Sequence, residues 1–473
     1  MGAMAALPAS GQAVPVVVTG VTVIDGTGAP PRVNRTVVVH EGRIVAVGDG
    51  AGATSPEATI VDGRGKFLIP GLWDMHAHLT KSASYAPALY VANGVTGVRD
   101  MGGDWEIIRA LRDEIDAGVR LGPRIKSAGP MLESPARVKR MRAKHPGEAV
   151  ERTRVAVADS ASGAKVVDSL AREGVDFIKL RTVASPQAYR GIAAAARSAG
   201  LRLAGHSVLS PLEMIRAGQR SIEHPILRPL HWRPGHERRA IIRALARERV
   251  AVVPTLVNFH QFFMMPPTRA RAILADSAGR IDPRRPYVGD VMLRDWREQV
   301  DEDIDVRLSR LRRSILSQVY ASVIRDLRAM HRAGVRLLPG SDLTVAFMYP
   351  GFSLHDELRN LVTDVGMTPM QALRSATQWS AEHMGMQDSL GTIEPGKLAD
   401  LVLLDADPLR DIANTTRIVG VFRRGEYLDR EAIDRLLEEV RAGLQAPHAL
   451  PSPVNPRQTP WRPPSHPARE EET

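Results

Sequence analysis

The chain contains no cysteine. That excludes disulfides, thiolate metal sites and a cysteine nucleophile, and it leaves the redox compartment open. Aromatic residues make up only 4% of the 473 positions. No aromatic RNA-stacking platform and no zinc-finger spacing stands among them. No apolar run is long enough to span a bilayer, so no membrane partner is expected. The start, Met1-Gly2-Ala3-Met4-Ala5, lacks the basic and apolar regions of a signal peptide. The expected location is the cytoplasm, or an exported compartment had a native signal been removed.

Positive charge is abundant, with a net charge of +10. Its arginines alternate with acids, as in Arg294-Asp295-Trp296-Arg297-Glu298. That pattern reads as a solvated, ion-paired helix face rather than a nucleic-acid surface, and no nucleic-acid partner is expected. It is compatible with attraction of an anionic small-molecule substrate. At 473 residues the chain exceeds one simple domain unless that domain is an α/β barrel.

The organisation supports that exception. Residues 14–68 carry short β-branched runs, Val16–Thr19, Val21–Ile24, Thr36–His40 and Arg43–Val47, separated by Gly and Asp turns. Residues 390–430 return to this style with Ala399–Leu404 and Ile418–Arg423. Pairing the two ends into one small β-sandwich domain would bury their apolar faces. Between them, residues 69–389 alternate apolar strands with helices. The strands are Val95–Arg99, Phe177–Leu180, Arg202–His206, Ser221–His224, Val250–Thr255 and Arg336–Ser341. The expected fold class is α/β: a (β/α)8 TIM barrel with the β-sandwich and a helical insertion at about 262–325. There Val300, Ile304, Leu308, Leu311, Ile315, Val319, Val323 and Leu327 mark one face of a long helix. It is read as a cover for the barrel mouth or as a structural or oligomer-forming helix, so a homo-oligomer is a possible partner state. Residues 431–473 are a helix and a Pro-rich tail.

The sharpest feature is His76-x-His78, at the end of an apolar strand. Residues i and i+2 of a strand share a side, so the two imidazoles can grip one metal ion. The bland alternative is two histidines met by chance. Further candidates close other predicted strands: Lys179, His206, His224 and Asp342. In a parallel barrel these ends converge on one mouth. A lysine at a buried strand end needs its charge paired or removed. An ion pair is one solution, and reaction with CO₂ to a carbamate is another.

His76, His78, Lys179, His206, His224 and Asp342 together resemble the ligand set of the metal-dependent amidohydrolase superfamily. The flanks Val23-Ile24-Asp25-Gly26-Thr27-Gly28 and Gly391-Thr392-Ile393-Glu394-Pro395-Gly396-Lys397-Leu398-Ala399-Asp400-Leu401 resemble it too. Gly97-Val98-Arg99-Asp100-Met101-Gly102-Gly103, Ile222-Glu223-His224-Pro225 and Val253-Pro254-Thr255-Leu256 are similar to its imidazolonepropionase-like and prolidase-like branch, which includes Xaa-Pro dipeptidases and N-acyl amino acid hydrolases. The resemblance covers roughly residues 15–430.

It implies two divalent metal ions, Zn²⁺ first. His76, His78 and Asp342 would hold the more buried ion, His206 and His224 the more exposed one, with the Lys179 carbamate bridging both. It implies a metal-bridging hydroxide as nucleophile, Asp342 as the catalytic general base, and cleavage of an amide or peptide bond in a dipeptide- or N-acyl amino acid-like substrate. Because the fold and metal site are shared, a lactonase, an esterase, a natural-product tailoring enzyme and a non-catalytic binding barrel are the alternatives. True imidazolonepropionases use one metal and no bridging lysine, so Lys179 argues against that activity.

Arg99, Arg181, His260 and Tyr349 are candidate substrate contacts, each with a structural role as the alternative; Asp100 and His231 belong to the same group. His236, His331, His355 and His383 are read as non-catalytic, and Asp74 as a support for its turn. Phe262, Phe263, Met264 and Met265 suit an apolar substrate wall, or core packing.

Overall fold

A computed structural model describes residues 14–49, 57–224, 230, 233–308 and 310–446. His231 and the Pro-rich tail lie outside the described residues. No described helix is long and apolar enough to cross a membrane.

Both chain ends meet in one eight-stranded sheet. Phe67–Pro70 pairs in parallel with Val16–Val23 on one side and antiparallel with Leu401–Leu404 on the other. Val18, Val37, Ile44, Leu68, Leu401 and Phe422 form its own apolar cluster. The strands expected to build the sandwich form one hydrogen-bonded sheet, in which Phe67–Pro70 joins the N-terminal strands to the C-terminal ones.

The interior strands run parallel in two sheets rather than one closed ring. Leu72–Ala77, Val95–Asp100 and Arg124–Ser127 form the first. Arg154–Ala156, Met131–Glu133, Phe177–Leu180, Arg202–Gly205, Gln219–Glu223 and Ala251–Val253 form the second, in that spatial order. The expected strand Arg336–Ser341 is irregular, yet it connects the two. Leu338 N donates to Val252 O at 2.9 Å, Met75 N to Pro339 O at 2.9 Å, and Asp342 N to His76 O at 2.6 Å. Gly340 permits this contact, since a Cβ there would lie 2.6 Å from His76 Cβ.

Helices follow the strands, and their starts are legible. Ser134, Ser185 and Thr368 each precede a proline and cap the helix beyond it through the side-chain oxygen. The hydroxyl satisfies an orphan N–H, while proline loses none that the first turn could use.

In the insertion, helix is described over Asp290–Leu308 and Arg310–Arg332, which carry the expected apolar face. Val300, Val323 and Leu327 are buried, whereas Ile315 is half exposed. The stripe therefore does not pack along its whole length.

An ion-pair knot ties the end sheet to the interior. Buried Asp400 accepts from Arg124 Nε at 2.7 Å, Arg423 Nη1 at 3.4 Å and Arg424 N at 2.8 Å. Asp400→Ala would leave the buried Arg423 without its carboxylate. The variant should lose about 3–5 kcal/mol of stability, read from chemical denaturation. An unchanged midpoint would show that the knot contributes nothing.

Candidate metal centre

The strand ends open into a cavity of about 810 Å³ lined by His76, His78, Lys179, His206, His224 and Asp342, among others. His76, His224 and Asp342 place donor atoms within 4.8 Å of one another. Asp342 Oδ1 stands 3.4 Å from His76 Nε2 and 3.4 Å from His78 Nε2, and its Oδ2 stands 3.6 Å from His224 Nε2. The His206 and His224 rings meet edge to face at 5.2 Å.

The other ring nitrogens fix the tautomers. His76 Nδ1 lies 2.8 Å from Glu223 Oε2, and His78 Nδ1 lies 2.7 Å from Gly102 O. Both partners only accept. His224 Nδ1 lies 2.7 Å from Thr255 Oγ1, whose own proton goes to Pro254 O. Each Nδ1 therefore carries the hydrogen, and each Nε2 presents a lone pair toward Asp342. This is the arrangement in which an imidazole ligates a metal.

Burial, with repulsion from Lys179, holds His76 and His206 well below the usual imidazole range, and burial holds His224 at about 4. The rings are neutral at physiological pH and available to bind a cation. Burial works to raise the Asp342 carboxyl, but His224 and His76 together hold it well below its ordinary value. Asn258 Nδ2 donates to its Oδ2 at 3.0 Å.

Lys179 is 1% exposed, and its Nζ has no hydrogen-bond partner among the described residues. Burial brings it to about 8, so a fraction of the amine is neutral and nucleophilic near pH 7. His76 Nε2 is likewise buried without a hydrogen bond among the described residues. Two orphaned buried nitrogens beside a carboxylate and three oriented imidazoles fit a divalent-metal site.

Beyond the support expected of Asp74, sequence reasoning missed what holds these side chains. Glu223 is fully buried and accepts two bonds from Arg99 Nη2, at 2.9 and 3.0 Å, and one from Ser221 Oγ. Burial opposes its charge, yet Arg99 and Lys179 keep its pKa below the ordinary value. Asp74 clamps two strands, accepting from Ser341 N at 3.0 Å and His76 N at 3.1 Å. The positive φ of His224 (50°), Thr255 (48°) and Asp342 (54°) turns these residues out of the strands.

Of the four expected substrate contacts, only Arg181 lines the cavity. Arg99 is 1% exposed and lies beneath the site, where Glu223 and Met75 O engage it. Tyr349 is buried between Trp296 and Arg284. His260 binds Tyr320 and Asp364 outside the cavity. Asp100 is buried and accepts from Leu79 N and Ser127 Oγ. His355 bonds Thr415 and Asn93, and His383 touches Arg99. Phe263 lines the cavity, whereas Phe262 and Met265 belong to the core.

Glu223→Gln would set an amide N–H against Arg99 or against His76 Nδ1–H. The His76 tautomer would then be lost. Metal affinity should fall about 10- to 100-fold, measured by Zn²⁺ competition against a chelating dye. Retention equal to the parent chain would refute this role.

Comparison with known proteins follows this geometry. The chain is 45% identical over 62 residues to N-acyl-D-aspartate deacylase of Alcaligenes xylosoxydans xylosoxydans, covering 13% of this chain and 12% of that protein. It is 34% identical over 87 residues to imidazolonepropionase of Pseudomonas fluorescens, covering 18% and 21%. The chain thus spans about a fifth or less of the curated relatives it matches. A solved prolidase complexed with N-methylphosphonate-L-proline superposes with a TM-score of 0.64 at 25% identity, covering 88% of this chain and all of that one. Residues 67–428 match the Amidohydrolase family, and the chain belongs to it.

Proposed function

We propose that the protein is a metal-dependent hydrolase of amide or peptide C–N bonds, acting on a small dipeptide- or N-acyl amino acid-like molecule. The observation that carries this reading is the convergence of three Nε2 lone pairs on Asp342 beside an unpartnered buried Lys179. Family membership and the prolidase neighbour support the bond type. The reading takes the parallel strands as a (β/α)8 barrel completed by residues 336–342, with the end sheet folded as a small sandwich against it.

His76, His78 and Asp342 would hold one ion, and His206 and His224 a second. The neutral Lys179 amine would add CO₂ and release a proton, giving an anionic carbamate that would add oxygen donors to this set. When bound, two divalent ions, Zn²⁺ by the preference of imidazole, supply an acidic water near neutral pH and positive charge beside the scissile carbonyl. Asp342, held well below the ordinary carboxylate range, would accept the proton of the attacking water and deliver it to the leaving nitrogen. Asn258 orients Asp342 through its Oδ2. Thr255 and Glu223 hold the His224 and His76 rings in one orientation during that transfer.

The test is a panel of Xaa-Pro dipeptides, N-acyl amino acids, lactones and aryl esters, offered to zinc-loaded and chelated protein. Metal-dependent cleavage of the amides is expected. Asp342→Ala should lower kcat by about 10²- to 10⁴-fold, and Lys179→Ala should abolish metal-dependent turnover. Cleavage confined to lactones or esters would overturn the amide assignment. No turnover by metal-loaded protein would favour a binding barrel.

A further inference from the structure

We infer that Arg137, Arg154 and Arg181 form an anion subsite in this cavity that takes the free carboxylate of the substrate. The inference rests on the amide-hydrolase reading of the same cavity.

Three neighbouring strands build the cluster. Met131–Glu133 lies between Arg154–Ala156 and Phe177–Leu180 in the six-stranded sheet. Glu133 ends the middle strand and is fully buried. Arg154 comes from one neighbour, Arg181 follows the other, and Arg137 comes from the first turn of helix Pro135–Lys144. Glu133 Oε1 pairs with Arg154 Nη1 and lies 3.3 Å from Arg181 Nη1. Among the described residues Oε2 has only Arg137 Nε, at 3.6 Å, which is an ion pair but not a hydrogen bond.

One carboxylate thus serves three guanidinium groups, three charges against one, leaving two in excess. Stabilising the buried Glu133 needs a single arginine. The excess is expensive where it sits: burial lowers the pKa of Arg137 and Arg154, and repulsion from Arg181 lowers both further. Glu148 also faces Arg154, but it is half exposed and lies 3.7 Å from Lys81 and 3.9 Å from His145. A ligand anion is the group that would balance this wall. All three arginines line the cavity. Arg181 stands two residues beyond Lys179, and its charge is felt at both Lys179 and His206.

The planar fork of a guanidinium matches a carboxylate in two parallel bonds, so a carboxylate is the fitting anion. Phe259, Phe263, Leu316 and Val319 give the cavity an apolar side as well. An acyl amino acid or dipeptide with an apolar group and a free carboxyl end satisfies both.

The experiment compares N-acyl amino acids and Xaa-Pro dipeptides with their C-terminal amides. It reads kcat/KM and calorimetric binding in the zinc-loaded full chain and in Arg137→Gln, Arg181→Gln and Arg137→Lys. Near-ultraviolet circular dichroism checks that each variant is folded. The parent should prefer the free acid by about 100-fold, and each glutamine variant should lose about 10- to 100-fold on the acid alone. Arg137→Lys should recover part of that loss. Equal cleavage of acid and amide by the parent would overturn the subsite while leaving amide hydrolysis standing. Acid-selective binding without cleavage, lost in Arg137→Gln, would support the subsite and sink the hydrolase reading. Neither binding nor cleavage of any acid would overturn the subsite.

Discussion

Glu223 carries its charge at a depth where neither oxygen meets solvent, and Arg99 is what permits it. A lone carboxylate at that depth costs several kcal/mol and would take up a proton instead. Arg99 gives it two bonds and Ser221 a third, so the remaining acceptor position faces His76 Nδ1. The pair also crosses between sheets. Arg99 and His76 belong to the three-stranded sheet, and Glu223 to the six-stranded one. One ion pair therefore sets a tautomer, keeps the His76 Nε2 lone pair free toward Asp342 and fixes the distance between two sheets that share no direct strand pairing among the described residues. Removing either partner leaves the other charged and buried, which is why this contact cannot be relaxed piecemeal.

Around that pair the backbone is strained where the ligands leave the strands. His224, Thr255 and Asp342 are non-glycine residues at positive φ, a conformation that costs on the order of 1–3 kcal/mol each. Specific bonds hold them there. His224 N donates to Val253 O at 3.1 Å, and Asp342 N donates to His76 O at 2.6 Å. Asp74 bonds both the His76 backbone and Ser341, locking the residue before Asp342 to the strand of the histidines. The geometry of the centre thus depends on contacts between chain segments far apart in sequence.

Those contacts mark the limit of what the sequence alone reveals. His76-x-His78 was readable because strand geometry puts both residues on one side, and His206, His224 and Asp342 because each closes an apolar run. Arg99 was misplaced because strands in a parallel sheet are buried on both faces. Without alternation, nothing distinguishes a residue under the site from one at its mouth. Met131–Glu133 and Arg154–Ala156 are three residues long and carry charge, so neither reads as a strand, and their arginine cluster stayed hidden. The insertion stripe gave its helical face but not the half exposure of Ile315 on it. Tyr349 looked available because it lies after a predicted strand end, yet Trp296 and Arg284 enclose it.

The Tyr349 contact also shows how the insertion acts on the centre. The loop after Asp342 has three residues at positive φ: Asp342, Thr344 and Phe347. Such a loop persists only where its surroundings determine it. Helix Asp290–Leu308 does so from one face. Gln299 Nε2 donates to Thr344 O at 2.8 Å, its Oε1 accepts from Ala346 N at 3.0 Å, and Trp296 packs on Phe347 and Tyr349 at 5.4 and 5.3 Å. On the other side Asp295 bonds Lys81, which follows the His78 strand, at 2.6 Å. The segment that supplies part of the apolar cavity wall therefore also clamps the loop carrying Asp342. A change in that wall that shifts the helix transmits to the proposed base through Gln299. The packing of the insertion and the position of Asp342 are thus linked through Gln299, although they come from different parts of the chain.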